Sequence, residues 1–393
     1  MDLLVPTVPP TRRGGKGASK GVVEAKANGK AQDGNAPKAN GKERALVKAG
    51  AAKPTTDNTV RLGCASVYLG DVLDVYDTWA PPACIIADGP YGLGKYPGEP
   101  VIVDGLADWY APHAAAWARK ALPYTTLWFW NSEIGWAKSH PALELHGWQY
   151  EETVTWDKGI AHVAGNCNSK TIRGVPVVTE VAVRYTRKAT LPAPSGAQLT
   201  LKEWVRSEWQ RSGLPMNQSN KACGVANAAT RKYLTQCHLW YFPPGEAIVA
   251  MAHWCTRHGA STNVPYFSLD GKGPPKADEW DRMRAKWHHT HGFTNVWREQ
   301  PVHGQERVRG AQGYLHANQK PLALMECQIL SSTEPGDVVW EPFGGLCTAT
   351  VAAAMSGRVA LAAEINEEFF QAAVMRLRAT ISKPQPQTLG LTG

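Results

Sequence analysis

The stretch that most constrains this chain lies near its end. Val338-Val339-Trp340 reads as a strand and runs into Glu341-Pro342-Phe343-Gly344-Gly345-Leu346-Cys347-Thr348. An Ala-rich helix follows over Ala349 to Ser356, then the turn Gly357-Arg358 and a second strand, Val359 to Ala363, closed by Glu364. Strand, glycine loop, helix, strand and acidic residue form the nucleotide-binding half of a Rossmann-like sheet. Glycines let the backbone approach a ligand closely. An acid about twenty residues beyond such a loop is placed to grip ribose hydroxyls. Only two glycines stand together, which argues against a dinucleotide. The loop fits a cofactor without a pyrophosphate, carrying an adenosine and a small zwitterion, as S-adenosyl-L-methionine does.

A second stretch supplies chemistry. The apolar run Ala83-Cys84-Ile85-Ile86 reads as a buried strand and leads into Ala87-Asp88-Gly89-Pro90-Tyr91-Gly92. In open α/β sheets the carboxyl ends of strands are where ligands bind. Asp88 can accept a hydrogen bond from an amino group, the carbonyl beside Pro90 can accept another, and Tyr91 can stack on a flat heterocycle. That set suits a flipped-out nucleobase whose exocyclic amine is to react. Taken alone, the four residues equally describe a turn with a solvated Asp and a packed Tyr.

Between these poles strands and helices alternate. Strands are expected over Val67–Leu69, Thr126–Trp130, Glu152–Lys158 and Glu180–Tyr185, with helices over Val72–Tyr76, Trp109–Leu122 and Glu133–His140. Alternation of this kind argues for an α/β sheet covered on both faces. Asp71, after Gly70, either caps the following helix or bonds an adenine or ribose edge; the cap is the commoner use. Near the end, helices are expected over Leu322–Ser331 and Glu368–Thr380.

The net charge of +8 favours a polyanionic partner. Over 1–57 the chain is Gly, Ala, Lys and Asn, a basic arm without a core of its own; Arg12, Arg13, Lys16 and Lys20 either meet phosphates or are simply solvated. From about Thr190 to His316 apolar periodicity weakens. Lys202, Arg206, Arg211, Lys221, Arg231 and Lys232, and then Arg282, Arg284, Lys286, His288, His289 and His291, are candidates for contact with nucleic acid. Most of the 16 tryptophans are expected in cores. Cys223, Cys237, His253, Cys255 and His258 lack metal-site spacing, so no metal is expected. No apolar run is long enough to span a bilayer. The opening residues are too short for a secretory signal. The expectation is a cytoplasmic protein in a bacterial, archaeal or phage setting, with reduced cysteines.

Gln319-Lys320-Pro321, Pro335-Gly336-Asp337, Glu341-Pro342-Phe343-x-Gly345-x-x-Thr348, Gly357-Arg358 and Glu364-Ile365 resemble the carboxy-terminal half of the amino-methylating (N6-adenine/N4-cytosine) DNA methyltransferases. Gly70-Asp71 and Asp88-Gly89-Pro90-Tyr91 resemble their amino-terminal half. The order, catalytic motif before cofactor motif, resembles the β group. The chain departs at Gly89, where the family usually has Pro, and at Cys347, where it usually has Gly.

The resemblance implies a Rossmann-like S-adenosylmethionine-dependent methyltransferase sheet with an inserted target-recognition region. The layout would be a basic arm over 1–57, a catalytic half over 58–189, the insertion over 190–313, a cofactor half over 314–381 and a flexible tail over 382–393. It implies that Asp71 faces the cofactor adenine and Glu364 its ribose. Glu341, Pro342, Phe343, Gly345 and Thr348 would wrap the methionine end, with Lys320 and Pro321 nearby. Asp88 and the Gly89 carbonyl would hold the target amine, followed by Pro90, and Tyr91 would stack on the base. Double-stranded DNA is the implied substrate, with a cognate restriction endonuclease as partner, no membrane, and a monomer or homodimer. An Asp heading the catalytic motif favours adenine N6 over cytosine N4. Two other classes stay open: a DNA-binding module on the same fold with weakened catalysis, and a methyltransferase for RNA or protein.

Overall fold

The computed structural model describes residues 58–94, 100–162, 174–187, 189–289, 294–310 and 313–382. The arm over 1–57 with its basic residues, the tail beyond Ser382, and His291 lie outside the described residues.

In chain order the strands are β1 (Thr59–Leu62), β2 (Ala65–Leu69), β3 (Cys84–Ala87), β4 (Thr126–Asn131), β5 (Trp148–Asp157) and β6 (Thr179–Arg187). Helices α1 (Leu106–Lys120) and α2 (Glu133–Leu145) flank β4. After a short hairpin of β7 (Thr190–Pro192) and β8 (Gln198–Thr200) come α3 (Leu201–Arg211), α4 (Gln218–Ala222), α5 (Gly245–His258) and α6 (Ala277–Asp281). Strands β9 (Val296–Arg298), β10 (Arg309–Gly310) and β11 (Gly313–Tyr314) lead into α7 (Leu322–Ser332), β12 (Val338–Glu341), α8 (Thr348–Met355), β13 (Val359–Glu364) and α9 (Glu367–Ile381).

Among the described residues, nine strands form one sheet in the order β1-β2-β13-β12-β3-β4-β6-β5-β9. The run from β2 through β13, β12 and β3 to β4 is parallel, while β6 is antiparallel to both β4 and β5. Period-two alternation explains why both faces are covered. Cys84, Ile86, Trp128 and Trp130 point into the core roofed by α7, α8 and α9. Ile85, Ala87, Leu127 and Phe129 point into the opposite core, under α1 and α2.

This order decides where a ligand can sit. From β3 the chain passes through α1 to β4 on one side; from β12 it passes through α8 to β13 on the other. The crevice between β3 and β12 is therefore a topological switch point, the place where open α/β sheets bind ligands. Register fixes the neighbours, with Val339 opposite Cys84 and Trp340 opposite Ile85.

Several elements differ from expectation. The segment expected as a helix over Val72–Tyr76 is two short 3₁₀ turns, Val72–Asp74 and Tyr76–Thr78. Helix α2 does not stop at His140 but continues through Pro141 to Leu145, where Leu143 is fully buried in the core. A proline forgoes one backbone donor, and burial of the last turn offsets that loss. Strand β5 starts earlier than Glu152, at Trp148, with an irregularity between Tyr150 and Glu152. The weakly periodic middle has its own core, in which Trp204, Trp209 and Trp280 are buried with Ile248, Met251 and Phe267. Within that stretch, β9 returns to pair with β5, and Trp297 joins the core of the main sheet. Among the described residues no cysteine is bridged, no group of acidic, His or Cys side chains is placed to hold a metal ion, and no helix is long and apolar enough to cross a membrane.

Candidate active site

A cleft of about 400 Å³ opens over the carboxyl ends of β2, β3, β12 and β13. Segments far apart in sequence line it together: Gly70-Asp71, Asp88 to Tyr91, Asn318 to Lys320, Glu341 to Leu346, Thr348, and Glu364 to Asn366. Of the residues that the resemblance assigns to catalysis or the cofactor, Pro321 is the one absent from the lining. It is buried and starts α7 as its N-cap, where its missing N–H costs nothing.

The apolar run of β3 ends at Asp88, and beyond it the backbone is held from two sides. The Pro90 carbonyl accepts from the Tyr110 hydroxyl at 3.0 Å and from the Asn131 side-chain amide at 2.9 Å. Gly89 stands where any side chain would collide: a Cβ would lie 2.6 Å from Tyr110 Oη and 2.7 Å from the Phe343 ring. Glycine here is a close-approach residue and not a loosened hinge, which accounts for the departure from Pro.

Asp88 is not a solitary acceptor. Lys320 Nζ donates to both of its carboxylate oxygens at 2.8 Å and also lies 3.2 Å from Glu180 Oε2. The Tyr91 hydroxyl donates to Asp88 at 3.1 Å and reaches Glu180 at 3.0 Å. Lys158 pairs with the other Glu180 oxygen and lies over the Trp156 ring. Burial pushes the Asp88 carboxyl up, and Lys320 pulls it back. Burial opposes charge on Lys320 as well, but Asp88 and Glu180 more than offset it and hold the ammonium. Burial also works against the Glu180 carboxylate, yet Lys320 and Lys158 bring it below its ordinary range. Lys320, expected beside the cofactor, is thus a partner of Asp88. The motif spacing in sequence could not reveal an ion pair formed across 232 positions.

The other rim is built from backbone and capping groups. Gly345 takes a left-handed φ of 51°, and its N–H donates to Glu364 Oε2 at 2.6 Å. The second Glu364 oxygen accepts from the Asn366 N–H at 2.7 Å. Burial raises the Glu364 pKa against these two bonds. Glu341 has a duty not foreseen: its carboxylate caps α8, accepting from Ala349 N at 3.0 Å and from the Thr350 N–H and hydroxyl at 2.6 Å. Burial pushes its pKa up to about 7. Asp71 is an N-cap, accepting from Leu73 N at 2.9 Å, and it also lines the cleft. Arg376, from α9, donates to the Leu346 carbonyl and the Thr348 hydroxyl and so pins the loop.

Cys347 adopts the left-handed conformation with φ of 53°, the backbone state a glycine takes without strain. Its side chain is fully buried in the core under α8 and is not part of the cleft lining. The departure at this position therefore does not narrow the cleft.

Residues that sequence reasoning missed include Glu180, Lys158, Trp109 and His113. Trp109 stacks on His113 with centroids 4.6 Å apart, and both line the cleft beside Phe343. Burial lowers the His113 imidazole to about 4. Glu180 lies in a strand that also carries Arg184 and Arg187, so its charge gave no distinct signal in the sequence.

Several basic residues suggested for nucleic acid have internal partners. Arg211 binds Glu208, Thr262 and the carbonyls of Val264 and Pro265. Arg206 donates to the Leu234 carbonyl, and Lys202 to that of Cys237. Lys286 pairs with Asp337 and Glu334, Arg282 pairs with Asp278, and His288 lies 4.0 Å from Glu334. Arg231 and Lys232 are exposed.

A protein-family model described as DNA methylase (N6_N4_Mtase) matches residues 83–375. The type II methyltransferase M.HinfI of Haemophilus influenzae is 36% identical over 98 residues, 25% of this chain and 27% of that protein. The DNA adenine methyltransferase YhdJ of Escherichia coli K12 is 44% identical over 62 residues, 16% of this chain and 21% of that protein. The chain thus spans about a quarter of the length of these curated relatives. Among solved structures, that of the M1.HpyAVI–SAM complex covers 80% of this chain and 100% of its own at 16% identity, with a TM-score of 0.43.

Proposed function

The chain belongs to the N6/N4 DNA methylase family, and from that premise we propose that it moves a methyl group from S-adenosyl-L-methionine to the exocyclic amine of a base flipped out of duplex DNA. One observation carries this reading. Asp88 to Tyr91, after β3, and Glu341 to Leu346 with Thr348, from the end of the adjacent parallel strand β12 onward, line the same cleft. An amine held by the first segment then faces a donor held by the second.

The cleft's residues fit the cofactor. Its volume lies within the range of roughly 300–1,000 Å³ for small-molecule sites. Two carboxylates, Asp71 and Glu364, stand at its rim, and Phe343 and Leu346 give it an apolar wall. In the proposed arrangement Glu364 meets the ribose, Asp71 the adenine, and Pro342, Phe343, Gly345 and Thr348 surround the methionine portion. When bound, S-adenosyl-L-methionine supplies an electrophilic methyl group.

The protein's own contribution is positioning and electrostatics. An aromatic amine is a poor nucleophile because its lone pair is delocalised into the ring. Asp88 and the Gly89 carbonyl accept hydrogen bonds from its two N–H groups, which localises the lone pair towards the donor; the N–C bond formed would replace the donor's S–C bond, leaving a neutral thioether, and the amine would lose one proton. Tyr91 offers a face to the base, with its hydroxyl anchored on Asp88 and Glu180. Flipping costs a few kcal/mol, offset by stacking and by phosphate contacts from the 190–313 stretch, which is proposed as the target-recognition region. The order of Asp88 before Glu341 fits the β group. Asp88 at the head of its motif favours adenine N6; cytosine N4 is the alternative.

Expression in a host lacking DNA methylation, followed by sequencing that reports modified bases, tests the reading. Methylated adenine within one short sequence is expected. Methyl transfer to RNA but not to duplex DNA contradicts it. A cofactor titration separates an active enzyme from a binding module of the same fold.

A further inference from the structure

The cluster around Asp88 holds a second carboxylate that the reaction as described does not use. Glu180 is the second residue of β6, on the far side of β4 from β3, so it reaches Asp88 only through the sheet's order. One of its oxygens meets both the Tyr91 hydroxyl at 3.0 Å and Lys320 Nζ at 3.2 Å; the other is held by Lys158. The Lys320 ammonium is almost completely buried and lies 5.3 Å and 5.2 Å from the centres of the Tyr91 and Trp130 rings.

This arrangement creates a conflict. Both Asp88 oxygens accept from Lys320, and Oδ1 accepts from Tyr91 as well, so an amine that is to bond Asp88 must share Oδ2 with an ammonium already there. Moving that ammonium into an apolar wall would leave a buried charge uncompensated, which is strongly unfavourable. Glu180 offers it another seat within a short shift, because Lys320 already touches both carboxylates. Lys158 fixes the distal oxygen of Glu180, and the Tyr91 hydroxyl bridges the two acids and keeps them in register.

Resting on the reading of Asp88 as acceptor for the target amine, we propose that Glu180 is a positioning residue that draws Lys320 away from Asp88 when the base amine enters. Lys320 then shields Asp88 between turnovers and yields it during them. No covalent step is involved; hydrogen bonds are exchanged within a set of two acids and two lysines.

The test measures single-turnover methyl transfer from labelled S-adenosyl-L-methionine to duplex DNA from an unmethylated host, with cofactor affinity by calorimetry. Glu180→Gln is expected to slow transfer about tenfold or more through misplacement of the acceptor, with cofactor affinity unchanged. In a Lys320→Met background, Glu180→Gln is expected to cost much less than it does in wild type, because Glu180 acts through Lys320. A structural role for Glu180 predicts the same loss in both backgrounds. Should Glu180→Gln fail to fold, Glu180→Asp, shorter by about 1.5 Å of side chain, is expected to show the same pattern. Wild-type rates in Glu180→Gln, or an equal loss from Glu180→Gln in the wild-type and Lys320→Met backgrounds, overturn the inference alone. A wild-type protein that transfers no methyl overturns the reading of function, and the inference with it.

Discussion

Lys320 holds its ammonium 2.8 Å from both carboxylate oxygens of Asp88, from the opposite end of the folded chain. The two residues belong to motifs that the sequence separates by an entire inserted stretch, and the sheet reunites them by seating β12 between β13 and β3. This pairing fixes where Asp88 points before any ligand arrives. Preorganisation of that kind is what a site needs if it works by positioning rather than by covalent chemistry.

The Glu364 carboxylate links the glycine loop to the end of β13 through the Gly345 amide. Glu364→Ala removes that bond and the acceptor proposed for the cofactor ribose. A loss of about 1.5–3 kcal/mol in cofactor binding is expected, as for hydrogen bonds to a charged group, with roughly 10–100-fold weaker affinity by calorimetry. Unchanged affinity takes Glu364 out of the cofactor site.

Gly89 is enclosed by Tyr110 and Phe343. Gly89→Ala places a methyl group inside both contacts, and overpacking of this type costs about 1–3 kcal/mol. Urea unfolding is expected to show a lower midpoint, and methyl transfer to fall with it. A variant as stable and active as wild type would mean that the loop relaxes freely, contrary to the packing described.

His113 carries a pH dependence with a definite sign. Burial lowers its folded-state pKa to about 4 from 6.5. The unfolded chain therefore takes up a proton near pH 6.5 that the folded protein refuses until about pH 4. The contribution is fully present above pH 6.5 and is lost as pH falls towards 4, a loss on the order of 3 kcal/mol. Glu341, pushed up to about 7, acts in the opposite sense over a neighbouring range, with its contribution lost as pH rises towards 7. Comparison of wild type with His113→Asn isolates the first effect: the variant's stability is expected to be flatter between pH 6.5 and 4. Parallel curves contradict the assignment.

Two groups of basic residues in the middle stretch are expected to behave differently. Arg211 staples α3 to the segment around Val264, so Arg211→Ala should lower stability before it affects DNA binding. Arg231 and Lys232 are exposed. Their joint replacement by Ala is expected to weaken DNA binding and reduce its log–log salt slope by up to about two, one for each lost phosphate contact. An unchanged slope places the DNA elsewhere.

Some of this was legible in the chain because the physics is local. Apolar runs such as Cys84–Ala87 and Thr126–Asn131 announce buried strands, and Gly344-Gly345 before an Ala-rich helix announces a ligand loop. Helix ends were less legible, since Pro141 marks a boundary that burial of Leu143 overrides. The middle hid its core because Trp204, Trp209 and Trp280 are spread over a long span and meet only in three dimensions. Glu180 and Lys158 were out of reach for the same reason. Their roles come from the order of β3, β4 and β6 across the sheet, which no spacing in the sequence encodes. Glu341 and Asp71 show a different limit: a carboxylate beside a ligand loop can cap a helix or turn and line the cleft at once, as both do here.

The central claim is that an amine held at Asp88 receives a methyl group from a donor held by the Glu341–Thr348 loop. Radiolabelled methyl transfer to unmethylated duplex DNA, measured for wild type and Asp88→Ala with cofactor affinity determined in parallel, tests it most directly. Transfer by wild type, none above background by Asp88→Ala, and similar cofactor affinity for both are expected. Methyl transfer retained by Asp88→Ala would contradict the claim.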